Sequence, residues 1–170
     1  KSECFKGYLS PSSVDELDES NFDSIVSLIF SIGRKSKRLI DANGFENLRS
    51  MIRELLHGVD PVENRFNLFV NQVEGIEEKM RINFAGELLH YSMPDRYWLW
   101  TNWIWDPDNN TGALPLVVQE EVDLLGETEG ETYLRVGEAM SYVNQVGNER
   151  GYSRVGHGKF GIDVFLACVY

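Results

Sequence analysis

Residues 60–92 carry, in order, a helix start, an apolar stripe, a glycine turn and a second apolar stripe. Asp60 is a natural N-cap. Pro61 suits the first helical position, where its missing N–H would have no partner, and Glu63 completes a capping pattern. Val62, Phe66, Phe69, Val70 and Val73 then recur at helical spacing, as do Met80, Phe84, Leu88 and Tyr91 beyond the turn "EGIEE". Nowhere do β-branched residues alternate over strand length between turn signals. The pattern predicts an all-α fold, a compact bundle of seven to nine short helices with a hairpin-like turn near 73–79.

The remaining helices are marked by their stops. Ser20 is placed to cap a segment over 21–32, with Phe22, Ile25, Val26 and Ile29 on one face and Gly33 as its end. "RKSKRLIDANG" ends at Asn43-Gly44 and "FENLRSMIRELLHG" at Gly58. Further helices are expected in "ALPLVVQEEVDLLG", in "ETYLRVGEAMSYVNQVG" and from Gly161 onward. Residues 1–20 are polar and serine-rich and read as an arm. Residues 21–170 read as one domain, a length that buries a core without disulfides or metals. The first residue is Lys1, and the chain stops inside the apolar run "FGIDVFLACVY", so a piece of a longer polypeptide is expected.

Charge narrows the partners. A formal net charge of −11 repels nucleic-acid backbones and anionic lipid heads unless a local basic patch overrides it. "RKSKR" is such a patch: Arg34, Lys35, Lys37 and Arg38 are anion or nucleic-acid candidates, or a solvated helix face paired with neighbouring acids. Cys4 and Cys168 read as free thiols of a reducing, cytoplasmic compartment, although neighbouring termini would also permit a bridge. No apolar run reaches the length of a membrane span.

Motifs for cofactors and metals do not hold together, and none is expected. "DPDNNTG" places Asp106, Asp108 and Asn110 at alternate positions, but Thr111 and Val117 stand where a calcium loop needs glycine and glutamate. "GHGKFG", with Gly156, Gly158 and Gly161, lacks the preceding strand of a dinucleotide fingerprint and reads as a loop into the last helix. His57, His90 and His157 show no metal-ligand spacing, and no nucleophile–base arrangement is legible.

Five aromatics crowd into 97–105: Tyr97, Trp98, Trp100, Trp103 and Trp105. Successive ring directions diverge around a helix or turn, so Trp100 and Trp103 are expected in the core. At least one of Trp98 and Trp105 is then left at the surface. Beside Arg96, such a tryptophan has the composition of a protein–protein hot spot; base stacking and plain core packing are the rival uses.

From 55 to 125 the chain resembles helical modules of the helix–hairpin–helix superfamily, whose best-known members are DNA glycosylases. "FAGELLHYSMPDRYWLWTNW" and "YLRVGEAMSYVNQVG" are similar to segments of small domains found beside restriction-type ATPases. The resemblance implies a phosphate grip at Gly75, where glycines let backbone N–H groups and a helix N-terminus approach an anion. Glu77 and Glu78 occupy the place of the second glycine and its neighbour and invert the polarity of that site. The catalytic acid of the glycosylases would fall near Thr101 and Asn102, neither of which ionises, and Asp95 in "MPDRY" is explained by a turn. The expectation is therefore a non-catalytic interaction or scaffold module of a larger assembly, with protein partners. Contact residues are Trp98, Trp105 and Arg96. The alternative is a nucleic-acid-binding module using the hairpin turn and residues 34–38.

Overall fold

The computed structural model describes residues 1–119, 121–151 and 158–170. Among them are eight α-helices: α1 (Ser2–Leu9), α2 (Glu19–Ser27), α3 (Ser36–Asn43), α4 (Phe45–His57), α5 (Val62–Gln72), α6 (Glu78–Ser92), α7 (Glu129–Glu149) and α8 (Gly161–Val169). No strand forms among the described residues; the one extended pairing is an isolated bridge between Asp106 and Thr111. The all-α architecture is as the periodicity predicts.

Helix α6 lies at the centre, packed against α1, α4 and α5. Ile82, the residues of 84–90 and Ser92 are buried, so the helix has little polar face left to water. Gly86 sets one of its contacts. A Cβ there would lie 2.1 Å from the Trp100 carbonyl oxygen, so only glycine lets the 97–105 backbone rest directly on the helix.

Local punctuation works well for α3 and α4, which end at Gly44 and Gly58. Helix α5 begins one residue later than the capping pattern suggests: Pro61 is itself the N-cap, and the Asp60 side chain makes no capping bond. Helix α2 is capped by Asp18, whose carboxylate accepts from the Asn21 N–H at 2.7 Å, and not by Ser20.

Three expectations are corrected. Residues 1–20 are not an arm: α1 packs on α6 through Phe5 and Leu9, and Val14 and Leu17 are also buried. The polar residues there hide four apolar anchors. The His57 ring sits 2.8 Å from the Leu9 carbonyl, and Ser2 donates to the Tyr91 carbonyl at 2.8 Å. Secondly, α2 stops at Ser27, and Ile29 and Ile32 are buried from a turn. Finally, among the described residues of "ALPLVVQEEVDLLG" the only helical element is a 3-10 turn, Leu114–Leu116. β-Branched Val117, Val118 and Val122 weaken a helix there, and the Asp123 carboxylate accepts from the Leu125 N–H at 3.1 Å, a local turn that competes with one.

Candidate interaction groove and hairpin turn

The segment after α6 is not helical from 97 to 101, so the rings do not follow helical spacing. Trp100 and Trp105 are the buried pair, 2% and 4% exposed, with ring centroids 6.4 Å apart. Each indole N–H is satisfied: Trp100 donates to the Trp105 carbonyl and Trp105 to the Asn110 side chain, both at 3.1 Å. Trp105 is therefore core and is removed from the contact surface, whereas Trp103 is only half-buried. Asn110 accepts that bond from a left-handed conformation, φ 48°.

Trp98 is half-buried and Arg96 exposed, and both line a groove of about 300 Å³ against α7, with Val62, Tyr133, Leu134 and Gly137. The strip carrying Trp98 is pinned from three helices. The Tyr97 carbonyl lies 2.9 Å from His90 Nδ1 on α6, and the Trp98 carbonyl accepts from the Tyr133 hydroxyl on α7 at 3.1 Å. From α5, Arg65 donates to the Tyr97 hydroxyl at 3.0 Å. Burial pushes the Tyr133 phenol far above its ordinary range, so it stays a neutral donor. Gly137 leaves room for the Trp98 ring, whose nearest atom would lie 3.1 Å from a Cβ there. Arg96 lies over the Tyr97 ring, 5.5 Å from its centroid, and pairs with no carboxylate among the described residues. Leu134 is exposed on the groove's edge, and exposed Tyr142 lies one turn beyond Glu138 of the lining.

Arg65 is a buried cation, 6% exposed, with no acid in ion-pairing range among the described residues. Its other donors reach the Asp60 carbonyl at 2.8 Å and the Leu55 carbonyl. Leu55 lies in the last turn of α4, where carbonyls carry the negative end of the helix dipole. Sequence reasoning passed over Arg65, although its place among Val62, Phe66 and Phe69 on the apolar stripe was a usable signal.

The hairpin turn is built differently. Gly75 has φ 86°, and a Cβ there would meet Ala42 Cβ and the Arg38 carbonyl at 2.9 Å. Asn43, legible only as a helix stop, clasps the turn: its amide donates to the Glu74 carbonyl at 3.0 Å and accepts from the Glu74 N–H at 2.8 Å. Arg81 donates to the Val70 carbonyl at the end of α5 at 2.8 Å. The turn thus packs on α3, whose first turn carries Lys37 and Arg38 of the basic run. Arg34, Lys37 and Arg38 are exposed and pair with no acid among the described residues; Lys35 is half-buried and donates to the Ser31 carbonyl at 3.2 Å. Glu77 and Glu78 are exposed beside the turn.

The "DPDNNTG" turn already holds a cation, and it is Lys79. Its ammonium lies 2.9 Å from both carboxylate oxygens of Asp106 and 2.9 Å from Asp108. Lys79 holds the Asp106 carboxyl below its ordinary range, and the two acids raise Lys79 in return.

A second polar cluster is buried where α1, α6 and α8 meet. His90 Nε2 lies 3.0 Å from Asp163 on α8, and Glu87 pairs with the Lys1 ammonium. Burial pushes the Glu87 carboxyl up, with Lys1 opposing, and pushes the Tyr91 phenol up to about 12. Asp95, the acid nearest the glycosylase position, is exposed and pairs with Lys159. Cys4 and Cys168 are free thiols. Gly156 and His157 lie outside the described residues. No helix among the described residues is long and apolar enough to cross a membrane, and no three His, Cys, Asp or Glu side chains among them are grouped to hold a metal. Compared with known proteins, the chain matches no family model, no curated protein and no solved structure.

Proposed function

We propose that the chain is a non-catalytic helical module that binds a protein partner through the groove bordered by Arg96 and Trp98, as one part of a larger assembly. One observation carries the reading. A tryptophan whose backbone carbonyl accepts from Tyr133, next to a Tyr97 pinned by His90 and Arg65, stands in a concave groove beside an arginine with no acid partner among the described residues. Rigid aromatic and arginine side chains of this kind dominate the energetics of protein interfaces, because little ordering entropy remains to be lost on binding. Free Cys4 and Cys168 suit a reducing, cytoplasmic setting.

The test is affinity purification of the intact polypeptide beside its Trp98→Ala and Arg96→Glu variants. A co-purifying protein that is retained by the parent and lost by both variants, at unchanged melting temperature, is the expected result. Equal retention by all three contradicts the reading.

Contact with a nucleic-acid backbone is the second reading, supported by the packing of the Gly75 turn on α3, which carries Lys37 and Arg38. If it holds, changing Glu77 and Glu78 to Gly and Lys strengthens duplex binding, with a steep loss on adding salt. No gain in affinity would remove it.

A further inference from the structure

The turn between α2 and α3 presents an aromatic side chain that the fold leaves entirely in water. Four backbone bonds shape the turn. The Leu28 N–H donates to Ile25 at 3.1 Å, Ile29 to Val26 at 2.9 Å, Ile32 to Ile29 at 3.1 Å and Lys35 to Ile32 at 2.8 Å. Ile29 and Ile32 are wholly buried and act as two pegs. Between them Phe30 is 102% exposed, and Leu28 beside it 41%. A single exposed apolar residue is ordinary. Here it is followed, four to eight residues on, by Arg34, Lys37 and Arg38, three exposed cations with no carboxylate in ion-pairing range among the described residues. The nearest acid of α2, Asp23, is engaged by the Ser36 hydroxyl. Asp41, exposed on α3 one turn beyond Lys37 and Arg38, makes no ion pair with either.

We infer that residues 28–38 form a contact for the surface of an anionic lipid bilayer, with Phe30 entering the boundary between headgroups and acyl chains and the three cations meeting lipid phosphates and carboxylates. The pairing of an apolar tip with unpaired cations is what such a surface rewards, since binding there sums buried apolar area and electrostatic attraction. A nucleic-acid backbone would use the cations and leave Phe30 with only a base to stack on. The net charge of −11 opposes approach from a distance. Screening confines that opposition to about 8 Å at physiological salt, and the cations sit at the contact itself. This inference is independent of the Trp98 groove, which lies on other elements.

Cosedimentation of the intact chain with vesicles tests it. One vesicle is phosphatidylcholine alone and the other contains one part in three of phosphatidylserine. Binding is expected to the second and not the first, falling as salt is added. Phe30→Ser should weaken it about tenfold, the effect of withdrawing one aromatic ring from an apolar surrounding. Phe30→Trp should hold or strengthen it, because tryptophan favours the bilayer interface. Changing Arg34, Lys37 and Arg38 together to Gln should cost on the order of a hundredfold, about fivefold for each charge. All four side chains are exposed, so melting temperatures should not move. Absence of binding to the phosphatidylserine vesicles, or binding that Phe30→Ser leaves unchanged, overturns the inference. So does capture of a duplex oligonucleotide in preference to the vesicles, indifferent to Phe30.

Discussion

The turn at 73–77 and the strip at 96–98 lie at opposite ends of the same central helix, and both are held by side chains from elsewhere in the chain. Asn43 clasps the first; Tyr133, Arg65 and His90 pin the second. They differ in what the held backbone displays. At the turn the exposed side chains are Glu74, Glu77 and, at the start of α6, Glu78, which oppose an anion and offer little area. At the strip the held backbone displays half-buried Trp98 and exposed Arg96, in a groove. A rigid backbone is common to both, so it is the side chains that divide a packing device from a contact surface. A resemblance carried by turn geometry alone does not reach that distinction.

The comparison can be broken at several strengths. The largest effect is expected at Gly86, the seat of the strip: Gly86→Val drives a side chain into the Trp100 carbonyl and should cost about 3 kcal/mol or more, measured by urea unfolding. Arg65→Ala should follow at roughly 3 kcal/mol, because it strips partners from the buried Leu55 carbonyl, the part-buried Asp60 carbonyl and the Tyr97 hydroxyl, and it should also loosen Trp98. A normal chemical-shift dispersion of the Trp98 indole in that variant would show that the pinning is not needed.

At the turn, Gly75→Val should cost about 2 kcal/mol, since a β-branched residue is strained at φ 86° and would also press on Ala42 and the Arg38 carbonyl. An unchanged melting temperature would mean that the turn relaxes freely.

The smallest effect is electrostatic. Asp106 is held below its ordinary 3.8 by Lys79, so the folded protein takes up that proton less readily than the unfolded chain. The stabilisation is present above about pH 4 and drains as pH falls below it. Lys79→Met should flatten this acid limb of the stability curve by lowering the plateau above about pH 4 towards the acid value, and only slightly, because the ammonium is partly solvated. An acid limb identical to the parent's would count against the pair.

Features set by neighbours in sequence were the readable ones. The ends of α3 and α4 follow from Gly44 and Gly58, and the stripe of α5 from residues three and four apart. Residues 1–20 misled because serines and acids outnumber Phe5, Leu9, Val14 and Leu17, and only the packed helix shows that those four suffice. Arg96 and Trp98 could be picked out by type. Trp105 could not be told from Trp103, since the choice depends on the chain between them leaving helical geometry. Asn43, Tyr133 and Arg65 act across gaps of 31, 35 and 32 residues, which no local pattern encodes.

The most direct test of Trp98 as a contact residue is photocrosslinking in cells with the intact polypeptide. A benzoylphenylalanine replaces Trp98 in one sample and Leu116, exposed and not part of the groove lining, in another. One discrete crosslinked protein from position 98, absent from position 116, is the predicted result. An identical smear from both positions, or no product from position 98, would contradict it.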